Sequence, residues 1–309
     1  MIVTVTMNPA IDKTIDVESL QVGKLNRIKR VEQDAGGKGI NVSKTIQALG
    51  GESIATGFLG GSAGKMIENV LQTMGITTDF VHVDGETRTN TKVIDANSEL
   101  TELNEPGVVI TEAQLQKLMQ KLEAYASENT LIVLAGSLPA GVPKDTYAVL
   151  IEMLHKKGAK VLLDADGELF RNGIEAGPDM IKPNRDELSE YAGIVGKATD
   201  EDLLVIAKTF QDKGIETVAI SMGSEGAMMI QGNRKVKCPV LKIKAHSAVG
   251  AGDAMVAAMA YSWQQELEFE EMVKLCLATS AGAVTTIGTK PPTMEVVEEL
   301  KKQVEIRII

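Results

Sequence analysis

Short apolar runs rich in β-branched residues recur at residues 2–7, 53–58, 131–134, 160–163 and 217–221, and helical patterns separate them. Each run has the length and composition of a short buried strand. Leu115, Leu118, Met119 and Leu122 step at i, i+3, i+4 and i+7 behind Thr111, a helix-capping residue type. Residues 144–155 and 201–211 have the same character. Strands that alternate with helices imply parallel pairing through helical crossovers. The expected fold is α/β, a layered sheet of mainly parallel strands flanked by helices, with ligands beyond the carboxyl ends of the strands. Gly57, Gly60, Gly61, Gly136 and Gly223 fit turns after those strands.

Two stretches break the alternation, residues 11–31 and 77–103. In the second, Phe80-Val81-His82-Val83 and Thr91-Lys92-Val93-Ile94 read as strands with no helix between them. Both stretches are read as a small excursion sheet, which serves either as a lid or as a surface ribbon without a role. Pro291-Pro292 punctuates the chain before a last helix at residues 294–303. No repeat, low-complexity linker or clean boundary divides residues 1–309, so they are read as one domain carrying the excursions.

With 309 residues and 44% hydrophobic content, the chain can bury one large core or two unequal ones. A formal charge of −10 and the lack of a long basic run give nucleic-acid or anionic-membrane binding no support. Cys238 and Cys276 lack metal-ligand spacing, and His82, His155 and His246 are scattered, so core or surface filling is the simplest reading of all five. The amino terminus has no basic signal-like region, and no apolar run approaches the roughly 20 residues of a spanning helix. A reducing, cytoplasmic setting is expected.

Gly250-Ala251-Gly252-Asp253 places a carboxylate after a small-residue turn and before an apolar helical run. Such a turn lets backbone N–H groups approach an anion, and the helix behind it adds roughly half a positive charge. A carboxylate beside a phosphoryl site is electrostatically awkward unless it takes a proton from an attacking hydroxyl. The alternative is an ordinary first-turn helix acid. Gly36-Gly37-Lys38-Gly39 similarly lets backbone lie against a polyhydroxylated or phosphorylated ligand. A Walker A loop is absent, since the nearest approach, Gly64-Lys65, has Leu59 at the first glycine position and Met66 at the hydroxyl position. From Lys24 to Lys44, six basic residues (Lys24, Arg27, Lys29, Arg30, Lys38, Lys44) face Glu32 and Asp34, a local 6 − 2 = +4. This suits either an anionic ligand or a solvated cationic face. Asn184 and Glu187 suit either a hydrated magnesium ion or a helix cap with its capping-box acid.

Asn8-Pro9-Ala10-Ile11-Asp12, Gly36-Gly37-Lys38-Gly39-Ile40-Asn41, Gly57-Phe58-Leu59-Gly60-Gly61, Thr87-Arg88-Thr89-Asn90, Gly136-Ser137-Leu138-Pro139, Lys182-Pro183-Asn184 with Glu187, Ser221-Met222-Gly223 with Gly226, and Val249-Gly250-Ala251-Gly252-Asp253 follow one another in the order and spacing of the PfkB/ribokinase-like sugar kinases. The chain resembles that family end to end. The resemblance implies a ribokinase-like fold with a small β-sheet lid and a homodimer formed through the lid sheet. It implies ATP and Mg2+ as co-substrate and cofactor, and a phosphosugar as acceptor. Fructose 1-phosphate, phosphorylated at C6, is the expected substrate, with tagatose 6-phosphate and fructose 6-phosphate as neighbours.

Carried over residue by residue, the resemblance implies that Asp12, Gly37, Lys38, Asn41 and Ser137 bind the sugar. Arg88 and Asn90, helped by Lys24 or Arg27, would grip its phosphate. Asn184 and Glu187 would organise magnesium through water and the nucleotide phosphates, and Ser221, Gly223 and Gly226 would line the nucleotide site. Gly250, Ala251 and Gly252 would form the anion hole, with Asp253 as base. Two departures from the family pattern, Ala248 in place of threonine and Asp166 in place of serine, bear on substrate detail and the nucleotide site. A non-catalytic sugar-phosphate or nucleotide sensor on the same fold is the alternative of a different class.

Overall fold

The computed structural model describes residues 1–97, 99–243 and 249–309, so the readings attached to His246 and Ala248 lie outside the described residues. An 11-stranded sheet runs through the molecule. Its parallel part is, in spatial order, Thr217–Ser221, Met180–Ile181, Lys160–Asp164, Leu131–Ala135, Ile2–Thr6, Ser53–Gly60 and Thr77–Thr78. Ala227–Gln231, Arg234–Cys238 and Arg307–Ile308 continue the first edge antiparallel.

The central strands Ile2–Thr6 and Leu131–Ala135 are buried at every position, which explains why their sequences are apolar without alternation. Their side chains still separate by face. Val3, Val5, Ile132 and Leu134 pack with Leu118, Leu122, Leu150, Leu154 and Phe210 from helices Glu112–Tyr125, Thr146–Lys156 and Asp200–Asp212. Ile2, Leu131 and Val133 join Val42, Ile46, Val256 and Val273 from helices Lys38–Ala48, Ala251–Gln264 and Phe269–Ala283. The sheet is thus the middle layer of three. Thr111 caps its helix as expected, in a reciprocal capping box with Gln114.

A separate four-stranded sheet has the order Arg30–Gly36, Ala10–Asp16, Arg88–Ile94, Leu100–Asn104. Its register puts Asp12 opposite both Asp34 and Asn90. The expected excursion sheet therefore exists, with one correction. Val81–Val83 belongs to the main sheet, pairing parallel with Ser53–Gly60 at Phe58↔Val81. The reason is the period: Val81 and Val83 are buried in the main core while His82 between them is exposed. Thr77–Thr78 also pairs with Ser53–Gly60. Among the described residues, no helix is long and apolar enough to cross a membrane.

Gly57 corrects a second expectation, because it lies inside a strand, opposite Thr6, and not in a turn. Its φ is 138°, and a Cβ there would overlap the Thr6 carbonyl. Only glycine lets these two strands keep their pairing at this point. Gly57→Ala is expected to destabilise the protein by about 2–4 kcal/mol. Thermal unfolding checks this, with a Tm lower by about 5–10 °C; an unchanged Tm would show that the strand relaxes around the added methyl.

Candidate active site

At the carboxyl ends of Ile2–Thr6 and Leu131–Ala135, a cavity of about 260 Å3 opens between the main sheet and the four-stranded sheet. Thr6, Asn8, Asp12, Gly37, Lys38, Asn41, Arg88, Asn90, Gly136, Ser137, Asp166, Asp253 and Thr289 all border it. Gly37 starts helix Lys38–Ala48 at φ 116°, and a Cβ there would lie 2.6 Å from Thr6 Cγ2. At Gly39 a Cβ would lie 2.5 Å from Thr6 Oγ1 and 2.7 Å from the Val5 carbonyl oxygen. The glycines let this helix press against the central strand, which carries Lys38 and Asn41 to the strand end.

Four carboxylates, Asp164, Asp166, Glu187 and Asp253, and the ammonium groups of Lys38 and Lys182 lie at this end of the sheet. Asp164, the last residue of Lys160–Asp164, is 2% exposed and lies 3.4 Å from both Lys38 Nζ and Lys182 Nζ. Burial works against its charge, but the Lys182 and Lys38 ammoniums outweigh it and hold the carboxyl below the usual carboxylate range. Lys38 is shifted upward despite its burial, because Asp164, Asp253, Glu187 and Asp166 favour the ammonium. Asp253 accepts a hydrogen bond from Asn41 Nδ2 at 2.8 Å. Burial, then the charge of Asp164, push the Asp253 carboxyl up to about 6 against Asn41, Lys38 and Lys182.

Gly250 is left-handed at φ 83° and leads into helix Ala251–Gln264, whose first turn contains Asp253. The unpaired N–H groups of that first turn therefore sit beside Asp253. Lys182 Nζ lies below, 3.4 Å from where a Gly252 Cβ would be. On the opposite wall, Asp12 is hydrogen-bonded by Asn90 and shifted upward, first by burial and against the charges of Lys92 and Lys44. Arg88 donates through Nη1 to the Glu105 carbonyl and through Nη2 to the Asn8 carbonyl, both at 3.1 Å. Thr6 Oγ1, Asn41 Oδ1, Asn90 Oδ1 and Arg88 Nε are buried without hydrogen-bond partners. Such atoms are costly unless a ligand satisfies them, and four of them around one cavity match a polyhydroxylated guest.

Asn184 and Glu187 form a reciprocal capping box, with Asn184 Oδ1 accepting from Glu187 N at 2.7 Å and Glu187 Oε2 accepting from Asn184 N at 2.8 Å. The cap expected from sequence is therefore formed. Burial, its largest influence, raises the Glu187 pKa, with Asp164 acting in the same direction. Among the described residues no three His, Cys, Asp or Glu side chains group as a metal cage. Glu187 and Asp164, near enough for their charges to act on each other, suit a cation that keeps most of its water. Ser221 bridges in parallel fashion to Asn184, and Gly223 and Gly226 form the turn that follows it. A Cβ on Gly226 would overlap the Cys238 carbonyl.

The structure thus brings Asp12, Gly37, Lys38, Asn41, Arg88, Asn90, Ser137 and Asp253 to one cavity. Lys24 and Arg27 are not among its walls; both are exposed in the irregular segment between Ala10–Asp16 and Arg30–Gly36. Sequence reasoning missed Asp164, Lys182 and Thr289. A signal existed for the first two: Asp164 ends an apolar strand at its carboxyl end, and Lys182 opens the Lys182-Pro183-Asn184 motif.

The sequence pattern of the pfkB family carbohydrate kinases matches residues 5–295, and the chain belongs to that family. It is 34% identical over 305 residues to a 1-phosphofructokinase of Vibrio cholerae, covering 99% of this chain and 96% of that one. It is 38% identical over 284 residues to a 1-phosphofructokinase of Xanthomonas campestris, covering 90% and 89%. Phosphofructokinase-2 from Escherichia coli, solved with substrates and products, superposes with a TM-score of 0.92 at 26% identity, with 98% of each chain covered. The same E. coli enzyme has a tetrameric inhibited form.

The charge arrangement predicts how Asp253 titrates. Its carboxyl should give a midpoint near 6, and Asp164→Asn should lower that midpoint, because the substitution removes a neighbouring negative charge and leaves Lys38 and Lys182 to act on Asp253. Carbon-detected NMR of the Asp253 carboxyl in both proteins measures the shift. A midpoint that stays or rises in Asp164→Asn would contradict the proposed coupling.

Proposed function

We propose that this pfkB family kinase transfers the γ-phosphoryl group of ATP to the C6 hydroxyl of D-fructose 1-phosphate, giving D-fructose 1,6-bisphosphate and ADP. One observation carries the reading: Asp253 stands in a small polar cavity beside the Gly250 turn, held by Asn41. The same names borne by the Vibrio and Xanthomonas relatives support the acceptor. In this reading the C6 oxygen forms a bond to the γ-phosphorus while the bond to the β-phosphate bridging oxygen breaks. The hydroxyl proton passes to the Asp253 carboxylate. Amides of residues 250–252 face the charge that develops on the transferring group.

Asp12, Gly37, Lys38, Asn41, Asn90 and Ser137 hold the sugar, and Arg88 holds its 1-phosphate. Asn184, Glu187, Ser221, Gly223 and Gly226 serve the nucleotide. A magnesium ion, when bound with ATP, supplies charge neutralisation for the phosphates, and Asn184 and Glu187 would hold it through water. The four-stranded sheet acts as a lid that excludes water from the acceptor. Its edge strand exposes Leu103 at 59% and Leu100 at 51%, and the segment between Ala10–Asp16 and Arg30–Gly36 exposes Val22 at 95% and Leu25 at 80%. Exposed apolar surface of this kind suits an interface, and a homodimer through the lid sheets would cover it. ATP as donor and two buried, unpaired cysteines suit a cytoplasmic setting.

Turnover measured side by side on fructose 1-phosphate, tagatose 6-phosphate and fructose 6-phosphate should give fructose 1-phosphate the highest kcat/KM. A preference for either competitor overturns the substrate, and no ADP from any sugar phosphate overturns the reaction. In the same assay Asp253→Asn should lower kcat about a hundredfold or more with little change in either KM. A loss under tenfold would remove Asp253 from the base role.

Arg88→Ala tests the grip on the existing phosphate. Charge-assisted bonds of this kind are worth roughly 1.5–3 kcal/mol, so KM for fructose 1-phosphate should rise about tenfold to a hundredfold while KM for ATP stays nearly constant. Because Arg88 also ties the Asn8 and Glu105 carbonyls, unphosphorylated fructose is the control. Equal weakening of both sugars would show that Arg88 supports the cavity wall and not the phosphate.

A further inference from the structure

Among the buried charges that the mechanism above does not use, Lys44 is the one that ties together two sides of the cavity. Lys44, on helix Lys38–Ala48, is 4% exposed, and its ammonium donates to the Ala35 carbonyl at 2.8 Å and to Thr289 Oγ1 at 3.2 Å. Those two partners belong to opposite sides of the cavity. Ala35 is in the four-stranded sheet, in the strand whose Asp34 lies opposite the sugar-side residue Asp12. Thr289 lies against the phosphate-side turn, its Cα 3.7 Å from where a Gly250 Cβ would be. A second contact spans the same gap: a Cβ on Gly288 would lie 3.0 Å from Asp34 Oδ2. The strand and the loop therefore meet at two adjacent points, and Lys44 is the hydrogen-bonded one.

An ammonium at such a position is expensive. Removing it from water costs several kcal/mol, and well-packed apolar residues in place of buried ion pairs are often neutral or stabilising. Packing alone does not call for a lysine here. What the charge provides is a fixed, directional bond to each side and an attraction for the carboxylates around it. Asp12 and Asp34 face Lys44 from the small sheet and Asp253 from helix Ala251–Gln264, with Lys290 as the opposing positive charge.

We propose that Lys44 is a positioning residue that couples occupancy of the sugar cavity to the geometry of the phosphate-binding turn at Gly250. The inference rests on the kinase reading given above. When the small sheet settles over the sugar phosphate, Ala35 moves with it, and the Lys44 ammonium carries that displacement to Thr289 and the turn. The nucleotide is then held best when the acceptor is already in place, which limits transfer to water.

The test compares wild type, Lys44→Met and Lys44→Arg by calorimetry. Affinity for a non-hydrolysable ATP analogue with Mg2+ is measured alone and with saturating fructose 1-phosphate. In wild type the sugar phosphate should tighten the analogue about fivefold or more, the usual range of such couplings. In Lys44→Met each ligand alone should bind within about threefold of wild type, the tightening should fall to about one, and kcat should drop. Lys44→Arg, which keeps the charge and donors, should recover part of the coupling. The acid limb of the kcat profile should move to higher pH in Lys44→Met, because losing a nearby positive charge makes Asp253 easier to protonate. Thermal unfolding separates this from collapse: Lys44→Met should unfold within a few degrees of wild type. A wild-type ratio of one overturns the proposal, as does a Lys44→Met protein that retains the coupling. Parallel loss of both single-ligand affinities with a lowered Tm would overturn it too, since that marks a structural residue. Failure of the kinase reading shows elsewhere, as wild type that turns over no sugar phosphate.

Discussion

Asp164 is the charge on which the site depends. A carboxylate 2% exposed at the end of a central strand is tolerable only because Lys38 and Lys182 flank it at 3.4 Å. The dependence runs both ways. Lys182 is itself 6% exposed and has Asp164 as its ion-pair partner, so its place below the Gly250 turn is set by that carboxylate. Lys38 is drawn from the start of helix Lys38–Ala48 toward the same point. A single acid thus lines up one cation at the Gly37 side of the cavity and another below the Gly250 turn, with Asp253, the proposed base, under the influence of both.

The arrangement also sets the chemistry of the base. Asp164 raises the Asp253 pKa, while the two lysines and the Asn41 hydrogen bond lower it, and burial decides the balance at about 6. A carboxyl with this midpoint is ionised at neutral pH yet holds a proton better than an ordinary aspartate. In the proposed role such a carboxylate would be a stronger base than a solvent-exposed acid. Its position follows from backbone geometry, because the left-handed Gly250 turns the chain into helix Ala251–Gln264 and leaves Asp253 in the first turn.

Much of this was legible in the sequence, and the failures have physical causes. The parallel layers followed from five apolar runs separated by helical periods, because strands buried on both faces have no other composition open to them. The glycine motifs announced themselves since Gly37 and Gly250 sit at φ values that disfavour other residues. The sequence does not place Val81–Val83 in its sheet, because a three-residue strand carries no mark of its partner. Gly57 was read as a turn because a strand glycine and a turn glycine differ only in what lies across the ladder, here the Thr6 carbonyl. Asp164, Lys182 and Lys44 went unassigned for a related reason. The strand end marks Asp164 and the Lys182-Pro183-Asn184 motif marks Lys182, but the role of each comes from charges distant in sequence, about which periodicity says nothing.

Asn184 and Glu187 show how two readings of one motif come to coincide. Sequence offered a helix cap or a cation site as alternatives. The capping box uses Asn184 Oδ1 and Glu187 Oε2, one oxygen of each side chain, and both bonds run to backbone N–H groups. Glu187 retains its second oxygen, and the cap fixes the direction in which that carboxylate group is presented. Burial raises its pKa and outweighs the opposing Asn184 backbone hydrogen bond and the Lys182 and Lys38 charges. The cap is therefore not a competitor of the cation role. In the proposed role it would supply the rigid placement that an outer-sphere contact to a hydrated ion needs, and the same helix start that it stabilises stands beside the Ser221 strand end through the Asn184 bridge.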